Sequence, residues 1–238
     1  MVSKVPASSN KAFPAITEII RMGEIEIPPQ FQGNGAPGNT LEYLLDLKVN
    51  NNDSPDLHDW EIKFHGGNSL LTLFHKDPMP KGIMDKVVDR YGWDDGKGRI
   101  SFRHTIQGKS QRGFIIESKE NKITVSNIKD YDQEIEPIIP YWEHNTILNA
   151  IGAKLRRLIL VHGNVNKLNR TVQYNRAVAY WDLDLMGIAE SITNGTIYID
   201  FDARTNGGRG TSLRNHGTKF RIHVNDILEI YENHLIIQ

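Results

Sequence analysis

Four consecutive apolar residues, at positions 158–161 (LILV), constrain the fold more than any other segment. An uninterrupted apolar run of strand length is typical of a strand that is buried on both faces. Such a strand needs a packing layer on each side. Helical patterns that can supply these layers lie at residues 11–22, 80–91, 141–153 and 183–193. The sequence therefore predicts an α/β fold, a mixed sheet with helices on both sides.

The remaining apolar patterns are short and predict further strands. They lie near residues 61–64, 69–74, 171–180, 196–202 and 218–224, with two or three more strands between 99 and 127. A loop rich in Pro and Gly covers residues 27–37, and Asn39 or Thr40 is predicted to cap the helix that follows, which buries Leu41. The 238 residues suffice for one domain or for two fused lobes.

The charge distribution is segregated along the chain. A formal net charge of -1 gives no overall attraction to nucleic acid. Residues 144–181 and 203–224 nevertheless contain no Asp or Glu. The first stretch carries Lys154, Arg156, Arg157, Lys167, Arg170 and Arg176. The second combines arginines with glycines, so that its backbone can approach a phosphate or a base edge. A solvated surface is the alternative for either stretch, but the two together favour DNA contact.

The absence of cysteine excludes disulfides, thiolate zinc sites and a cysteine nucleophile. The first ten residues lack an apolar signal core, and no apolar run reaches the roughly 18 residues that a membrane span requires. We therefore expect a cytoplasmic protein.

The pattern Glu-x-Lys at Glu61 and Lys63 is the main chemical motif. On a strand, these two side chains share one face, while Trp60, Ile62 and Phe64 point into a core. Glu-x-Lys occurs three times in the chain, and the later two copies, within residues 117–122, look like a polar turn between strands. Only the first copy has an Asp just upstream.

That upstream acid is Asp56, which follows a proline that favours an extended entry to the strand. Two carboxylates, from Asp56 and Glu61, can hold a hard cation such as Mg2+, and Lys63 can orient a water or offset charge on a phosphate. His65 shares this face and either lines the site or makes a structural hydrogen bond. The alternative for the motif is a solvated strand face with an exposed ion pair.

Five segments, in this order, resemble the MvaI/BcnI family of type II restriction endonucleases, which is related to MutH. They are residues 38–45 (GNTLEYLL), 54–63 (SPDLHDWEIK), 69–74 (SLLTLF), 90–92 (RYG) and 216–222 (HGTKFRI). The resemblance covers most of the chain, and it is far more specific than one triplet.

The resemblance implies a PD-(D/E)xK restriction-endonuclease-like mixed sheet flanked by helices, with a DNA-reading lobe. The catalytic core would occupy about residues 1–135 and the recognition lobe about residues 136–238. It also implies a Mg2+-dependent monomer in the bacterial cytoplasm that clasps double-stranded DNA between two lobes and cuts one strand at a time. The site would be of the CC-N-GG type, and a cognate DNA methyltransferase would act on the same site.

The family pattern also assigns residues. Asp56 and Glu61 would bind the metal with the Ile62 carbonyl, Lys63 would be the catalytic lysine, and Glu42 would be an acid near the active site. The implied DNA-binding residues are His75, Lys76, Arg204, Arg209, Arg214, His216, Thr218, Lys219 and Arg221.

Two of these residues, His75 and His216, are candidate readers of the central base pair. A histidine donates or accepts a hydrogen bond, so His75 favours a central G/C pair and brings the chain nearer to BcnI than to MvaI.

Three alternatives stay open at the level of sequence. A MutH-like enzyme would nick one strand with the help of partner proteins. A DNA-binding module would keep the acids and the lysine only as a polar face and would bind no Mg2+. An unrelated α/β domain would make the five ordered segments a coincidence.

Overall fold

A computed structural model describes residues 4–47, 57 and 59–237, which form two compact units. Unit 1 comprises Met1–Ser69, Ile151–Asp184 and Ile230–Gln238; unit 2 comprises Leu70–Ala150 and Leu185–Glu229. The sequence predicts contiguous lobes that divide near residue 135, whereas each unit combines segments from distant parts of the chain. The reason is strand pairing between remote segments in each unit's sheet. The division of catalysis and DNA reading between two lobes stays a prediction.

The described elements alternate between helices and strands along the chain. The helices are α1 (Ser9–Arg21), α2 (Ala36–Leu44), α3 (Ile83–Tyr91), α4 (Ile128–Asp132), α5 (His144–Lys154) and α6 (Ile188–Thr193), with a 3-10 helix at Val224–Glu229. The strands are β1 (Glu24–Glu26), β2 (Glu61–His65), β3 (Leu71–His75), β4 (Trp93–Asp94), β5 (Ile100–Ile106), β6 (Phe114–Lys119), β7 (Lys122–Asn127), β8 (Tyr141–Glu143), β9 (Arg157–Asn166), β10 (Thr171–Leu183), β11 (Ile197–Thr205), β12 (Leu213–Asn215), β13 (Lys219–Ile222) and β14 (Tyr231–Ile237). No helix in the described part of the chain is long and apolar enough to span a membrane.

The sheet of unit 1 has the strand order β1-β10-β9-β2, and β14 also pairs with β10. Strands β2 and β9 are parallel while the other pairs are antiparallel, so the predicted mixed sheet is confirmed. The apolar run at residues 158–161 is the centre of β9, and all of its side chains are fully buried. Ile159 and Val161 pack in one core with Ile16 of α1 and Leu41 of α2. Burying each such side chain contributes roughly 1.5–3 kcal/mol.

Unit 2 contains an antiparallel sheet of order β3-β13-β11-β5-β4, with β12 paired to β11, and a small sheet of order β6-β7-β8. One face of the larger sheet is apolar. Phe220 stacks on Phe74 with ring centroids 4.6 Å apart, and Trp142 contacts both Phe220 and Phe201. This aromatic packing leaves the opposite face of the sheet to polar side chains.

The prediction that Asn39 or Thr40 caps a helix is wrong. Helix α2 begins at Ala36, with Gly35 as its N-cap residue and Pro37 in its first turn. A proline fits there because its missing N–H would have no partner within the helix. The Thr40 hydroxyl instead donates to the Ala36 carbonyl oxygen at 2.8 Å, inside the helix.

Helix α3 begins at Ile83 rather than at residue 80, and two further helices also begin later than predicted. Residues Tyr141–Glu143 form β8, and the helix begins at His144. Strand β10 continues to Leu183, which pairs with Tyr231 of β14, and helix α6 begins only at Ile188. In both places, pairing with a remote strand outweighs the local helical pattern.

Candidate active site

The Glu-x-Lys motif lies at the start of β2, and its two side chains share one face as predicted. The Lys63 Nζ is 2.9 Å from the Glu61 Oε1, and the two side chains are 17% and 2% exposed. On the other face, Trp60 and Ile62 belong to the core, and Phe64 packs against it. Strand β2 pairs with the fully buried part of β9, which explains why a carboxylate at its first position is so enclosed.

A second lysine reaches the same carboxylate. Lys154, the last residue of α5, places its Nζ 3.6 Å from the Glu61 Oε1 and is 26% exposed. An enclosed carboxylate is costly unless cations or hydrogen bonds compensate it, and Lys63 and Lys154 both do so here. The sequence places Lys154 only within an acid-free stretch. Nothing in its local pattern indicates contact with Glu61, because the two residues meet only in the folded unit.

Tyr231 of β14 also interacts electrostatically with Glu61. Its hydroxyl donates to the Leu155 carbonyl oxygen at 2.5 Å. Burial raises the pKa of Tyr231 well above its usual value, and the negative charge of Glu61, followed by that of Tyr180 in its ionised form, raises it further. Tyr231 therefore stays a neutral hydrogen-bond donor that fixes the backbone directly after Lys154. No sequence motif indicates this role.

A second acid–base pair fixes the approach to β2. Asp59 forms an ion pair with Arg157 at the start of β9. The hydroxyl of Ser8 accepts a hydrogen bond from the Trp60 Nε1 at 2.9 Å and another from Arg157 at 3.4 Å. Arg157 therefore orders the site's framework, whereas the sequence places it among the cations of a DNA-binding surface.

Of the other predicted active-site residues, Ile62 and Glu42 lie in the described part of the chain. Asp56 lies outside the described residues, and the described residues contain no cluster of three His, Cys, Asp or Glu side chains that could hold a metal. Helix α2, which carries half-buried Glu42, packs against β2. The chemistry of the donor set fits a hard cation, since a Glu61 carboxylate and an Ile62 carbonyl offer oxygen ligands. The metal ligands and the role of Glu42 stay predictions.

The predicted DNA-binding residues are mostly gathered on the polar face of the larger sheet of unit 2. Residues paired across neighbouring strands share a face, as do alternate residues on one strand. The register pairs Lys219 with His75 and with Asp200, Asp202 with Arg103, and Arg204 with Arg214. His75, Lys219, Arg221, Arg204 and Arg214 thus lie on one surface, which we call the polar sheet face.

Acids on this face pair with the cations. Asp200 contacts Arg221 at 3.0 Å, while Asp202 contacts Lys219 at 3.4 Å and Arg103 at 3.2 Å. The sequence prediction includes neither aspartate nor Arg103. An aspartate can accept a hydrogen bond from cytosine.

Like charges meet at the other end of the same face. Arg204 lies opposite Arg214, and its pKa is lowered by partial burial and then by Arg99, Arg214 and Arg103. Cations held together against repulsion form a strongly positive patch, which suits an anionic ligand.

The loop that carries His216 passes beside His75, and the role of these two histidines as readers of the central base pair stays a prediction. A Cβ on Gly217 would stand 3.5 Å from the His75 ring, and exposed His216 directly precedes this glycine. Asp77, which the sequence prediction misses, accepts hydrogen bonds from Asn215 at 3.2 Å and from the Thr218 backbone N–H at 3.1 Å. These bonds fix the loop that carries His216.

The three other predicted DNA contacts differ from this group. The side chain of Thr218 is fully buried, so it is closed to any ligand in this structure. Lys76 is exposed just beyond β3. Arg209 donates to the Asp89 backbone carbonyl and also lies 3.4 Å from the Asp89 carboxylate, so it is fixed on α3.

Comparisons with known proteins agree with this geometry. The sequence pattern that defines the MvaI/BcnI restriction endonuclease family matches residues 15–231. The chain therefore belongs to the MvaI/BcnI restriction endonuclease family and is a type II site-specific deoxyribonuclease. Among curated protein sequences, none matches this chain.

Two solved structures are similar to the whole chain. The complex of restriction endonuclease MvaI with its cognate DNA substrate has a TM-score of 0.83 at 26% identity, covering 99% of this chain and 100% of that chain. MvaI in the absence of DNA has a TM-score of 0.58 at 25% identity, with both chains fully covered. The restriction-endonuclease-like fold predicted from sequence is thereby confirmed.

Proposed function

We propose that this enzyme hydrolyses double-stranded DNA with Mg2+ at a short, nearly palindromic site of the CC-N-GG type. The observation that carries the proposal is the enclosed carboxylate of Glu61, ion-paired with Lys63 on β2 of the family's fold. The DNA-bound state of the similar MvaI structure supports a DNA substrate. We further propose that the enzyme acts as a monomer in the bacterial cytoplasm, beside a methyltransferase that protects the same site.

In the proposed mechanism, Asp56, Glu61 and the Ile62 carbonyl hold the metal. When bound by these oxygens, Mg2+ would supply charge neutralisation at the scissile phosphate and a lowered pKa of the attacking water. Glu61 stays oriented by Lys63 at 2.9 Å and Lys154 at 3.6 Å. Lys63, which points to the same face as Glu61, positions the attacking water and stabilises the charge that develops on the phosphate. Glu42 would act as a further acid near the reacting groups.

Sequence reading is assigned to the polar sheet face. His75 and His216 would contact the central base pair, with G/C favoured because each imidazole can donate or accept a hydrogen bond. Arg204, Arg214, Lys219 and Arg221 would contact guanines or phosphates. Lys76, Arg209 and Thr218 are retained as proposed contacts, although Thr218 would need its loop to move and Arg209 would have to leave Asp89.

The direct test incubates the enzyme with unmethylated plasmid DNA and Mg2+, beside Glu61→Ala, and sequences the fragment ends. Discrete cuts that require Mg2+ and are lost in the variant support the proposal and define the site. A nicked intermediate is expected before linear DNA, because one active site per monomer cuts one strand at a time. Linear product without a nicked stage would favour a preformed dimer, and nicking that never becomes double-strand cleavage would favour a MutH-like enzyme.

A further inference from the structure

A row of three basic side chains crosses the sheet of unit 1 beyond the active site. His65 ends β2 and pairs with His162 of β9, which in turn pairs with Arg176 of β10. The His65 and His162 ring centroids are 6.0 Å apart. His65 is on the same face of β2 as Glu61 and Lys63, so the whole row belongs to the catalytic face.

Arg176 gives the row a fixed positive charge, and His162 beside it is a hydrogen-bonding ring whose pKa is lowered first by burial and then by His65 and Arg176. Within residues 4–47, 57 and 59–237, neither His162 nor Arg176 forms an ion pair with a carboxylate. Arg176 is exposed, and the two histidines are half-buried. The His65 Nε2 lies 2.7 Å from the Ser69 carbonyl oxygen, and because a carbonyl only accepts, this nitrogen carries the proton. That bond orients the ring.

The backbone is shaped around the row. The pairing of β9 and β10 shifts register between Tyr174 and Arg176, and such a bulge re-aims the side chain that follows it. Gly163 follows His162, and a Cβ there would stand 2.3 Å from the Gln173 carbonyl oxygen. Only glycine permits this close approach of β9 to β10 beside the row.

We infer that His65, His162 and Arg176 form a phosphate-binding row that holds the DNA backbone next to the scissile phosphate, in which Arg176 and His162 donate to the phosphate and His65, fixed by its bond to Ser69, orients the row. His65 lies two residues beyond Lys63 along β2, or about 7 Å at the rise of a strand. That spacing is too long for the row to contact the phosphate at Lys63, and it suits a neighbouring phosphate of the same strand. This inference rests on the proposed cleavage at Glu61 and Lys63. It adds a binding role for three residues whose contact is sequence-independent.

The first test measures binding, not cleavage, so that the inference and the proposed function can fail separately. The probe is a mixed-sequence duplex of 30 base pairs, with its affinity measured by fluorescence anisotropy over a series of salt concentrations without divalent metal. Arg176→Ala should weaken binding several-fold and reduce the slope of log K against log salt by about 1, as expected for one lost phosphate contact. His162→Gln should give a smaller loss.

The matched control is Arg21→Ala, because Arg21 is an exposed arginine in the last turn of α1. This control should keep the wild-type slope. If Arg176→Ala also keeps it, the phosphate-binding row is wrong even if the wild-type enzyme cuts DNA. If the wild-type enzyme binds no DNA, the proposed function and this inference both fall.

A second test locates the contact on the substrate. Once the cut bond is known, a methylphosphonate replaces the phosphate next to it and removes that charge. Arg176→Ala should lower affinity several-fold on the normal duplex and have little further effect on the neutralised one. An equal loss on both duplexes would mean that Arg176 acts elsewhere. Thermal unfolding of each variant separates a loss of contact from a loss of folding.

Discussion

Unit 1 and unit 2 both place acids beside bases, but they expose them to very different degrees. In unit 1, Glu61 is 2% exposed and two lysines contact it. In unit 2, Asp202 is 27% exposed and its partner Arg103 is 58% exposed. Charges interact far more strongly when water is excluded, so the ion pairs of Glu61 are stronger than those of Asp202.

The difference in exposure fits the proposed division between catalysis at Glu61 and DNA reading on the polar sheet face. An enclosed carboxylate with fixed cations keeps its geometry, which catalysis requires because misplacement of a reacting group by about 1 Å is costly. Exposed pairs contribute only about 0–1 kcal/mol to stability, so their members can exchange each other for base edges or phosphates. We therefore expect substitutions at and around Glu61 to change the rate of cleavage, and substitutions on the polar sheet face to change binding and specificity.

The largest effect is expected from Glu61→Gln. The change keeps the shape of the side chain but removes the charge that we propose binds the metal, so single-turnover cleavage should fall by on the order of 1,000-fold or more while DNA binding persists. The control is Glu117→Gln, because Glu117 and Lys119 repeat the motif as an exposed ion pair of 2.7 Å on β6. If Glu61→Gln and Glu117→Gln were equally active, the motif at Glu61 would have no more catalytic importance than the copy at Glu117.

Lys154→Met should have the next largest effect. Glu61 would keep Lys63 but lose its second cation, so the cleavage rate should fall by about tenfold. Unfolding of the metal-free protein should become easier by about 1–2 kcal/mol, since an enclosed charge loses a partner. Lys154→Arg should restore most of the cleavage rate and most of the unfolding free energy. Lys119→Met serves as the control, because it removes an exposed lysine from the other Glu-x-Lys ion pair. An unchanged rate and an unchanged unfolding free energy would show that the 3.6 Å contact has no role.

Arg214→Ala, on the polar sheet face, should lower DNA affinity without lowering stability, whereas Lys154→Met should lower both the cleavage rate and stability. Its partner Arg204 is crowded by like charges, so removing one arginine should leave the melting temperature unchanged or slightly higher. DNA affinity should fall by about 1–3 kcal/mol, selectively at one base if Arg214 reads a guanine and uniformly if it contacts a phosphate.

The control on unit 2 is Lys81→Ala, which removes an exposed cation outside the strands. It should change neither the melting temperature nor DNA affinity. If Arg214→Ala lowers stability and leaves affinity intact, the polar sheet face is structural.

Local patterns predicted much of this fold because they depend only on neighbours in sequence. Alternation placed Glu61 and Lys63 on one face, and an uninterrupted apolar run marked the buried centre of β9. The turn predicted within residues 117–122 is present, since Glu120 and Asn121 have positive φ values of 49° and 61° between the paired strands β6 and β7. The second copy of the motif, Glu117 and Lys119, was wrongly predicted to be part of that turn, because it lies on β6 itself.

Long-range contacts could not be predicted in the same way. Lys154 reaches Glu61 only because α5 ends beside the start of β9, which pairs with β2. Arg157 and Arg209 look like free cations in sequence, yet each pairs with an acid from a remote segment. Charge runs show where cations occur in the chain, whereas their partners depend on the tertiary structure.

The smallest expected effect concerns a half-buried histidine that unit 2 keeps neutral, in contrast to the ion-paired Glu61. His104 packs against Phe114 and Phe102 on the apolar side of β5. Burial, and then the nearby charge of Arg112, lower the pKa of His104 from 6.5 to about 4. Between these values the unfolded chain binds a proton that the folded protein does not bind. Stability should therefore be insensitive to this residue above pH 6.5 and should fall as the pH decreases toward 4.

His104→Gln should remove part of this acid sensitivity. The measurement is the melting temperature at pH 7 and pH 5 for the wild type, for His104→Gln and for the same change at exposed His234. The drop between the two pH values should be smaller only in His104→Gln, even if that variant is less stable at pH 7 because its packing is altered. An identical drop in all three proteins would mean that His104 is protonated in the folded state, and that unit 2 tolerates a charge on the apolar side of its sheet.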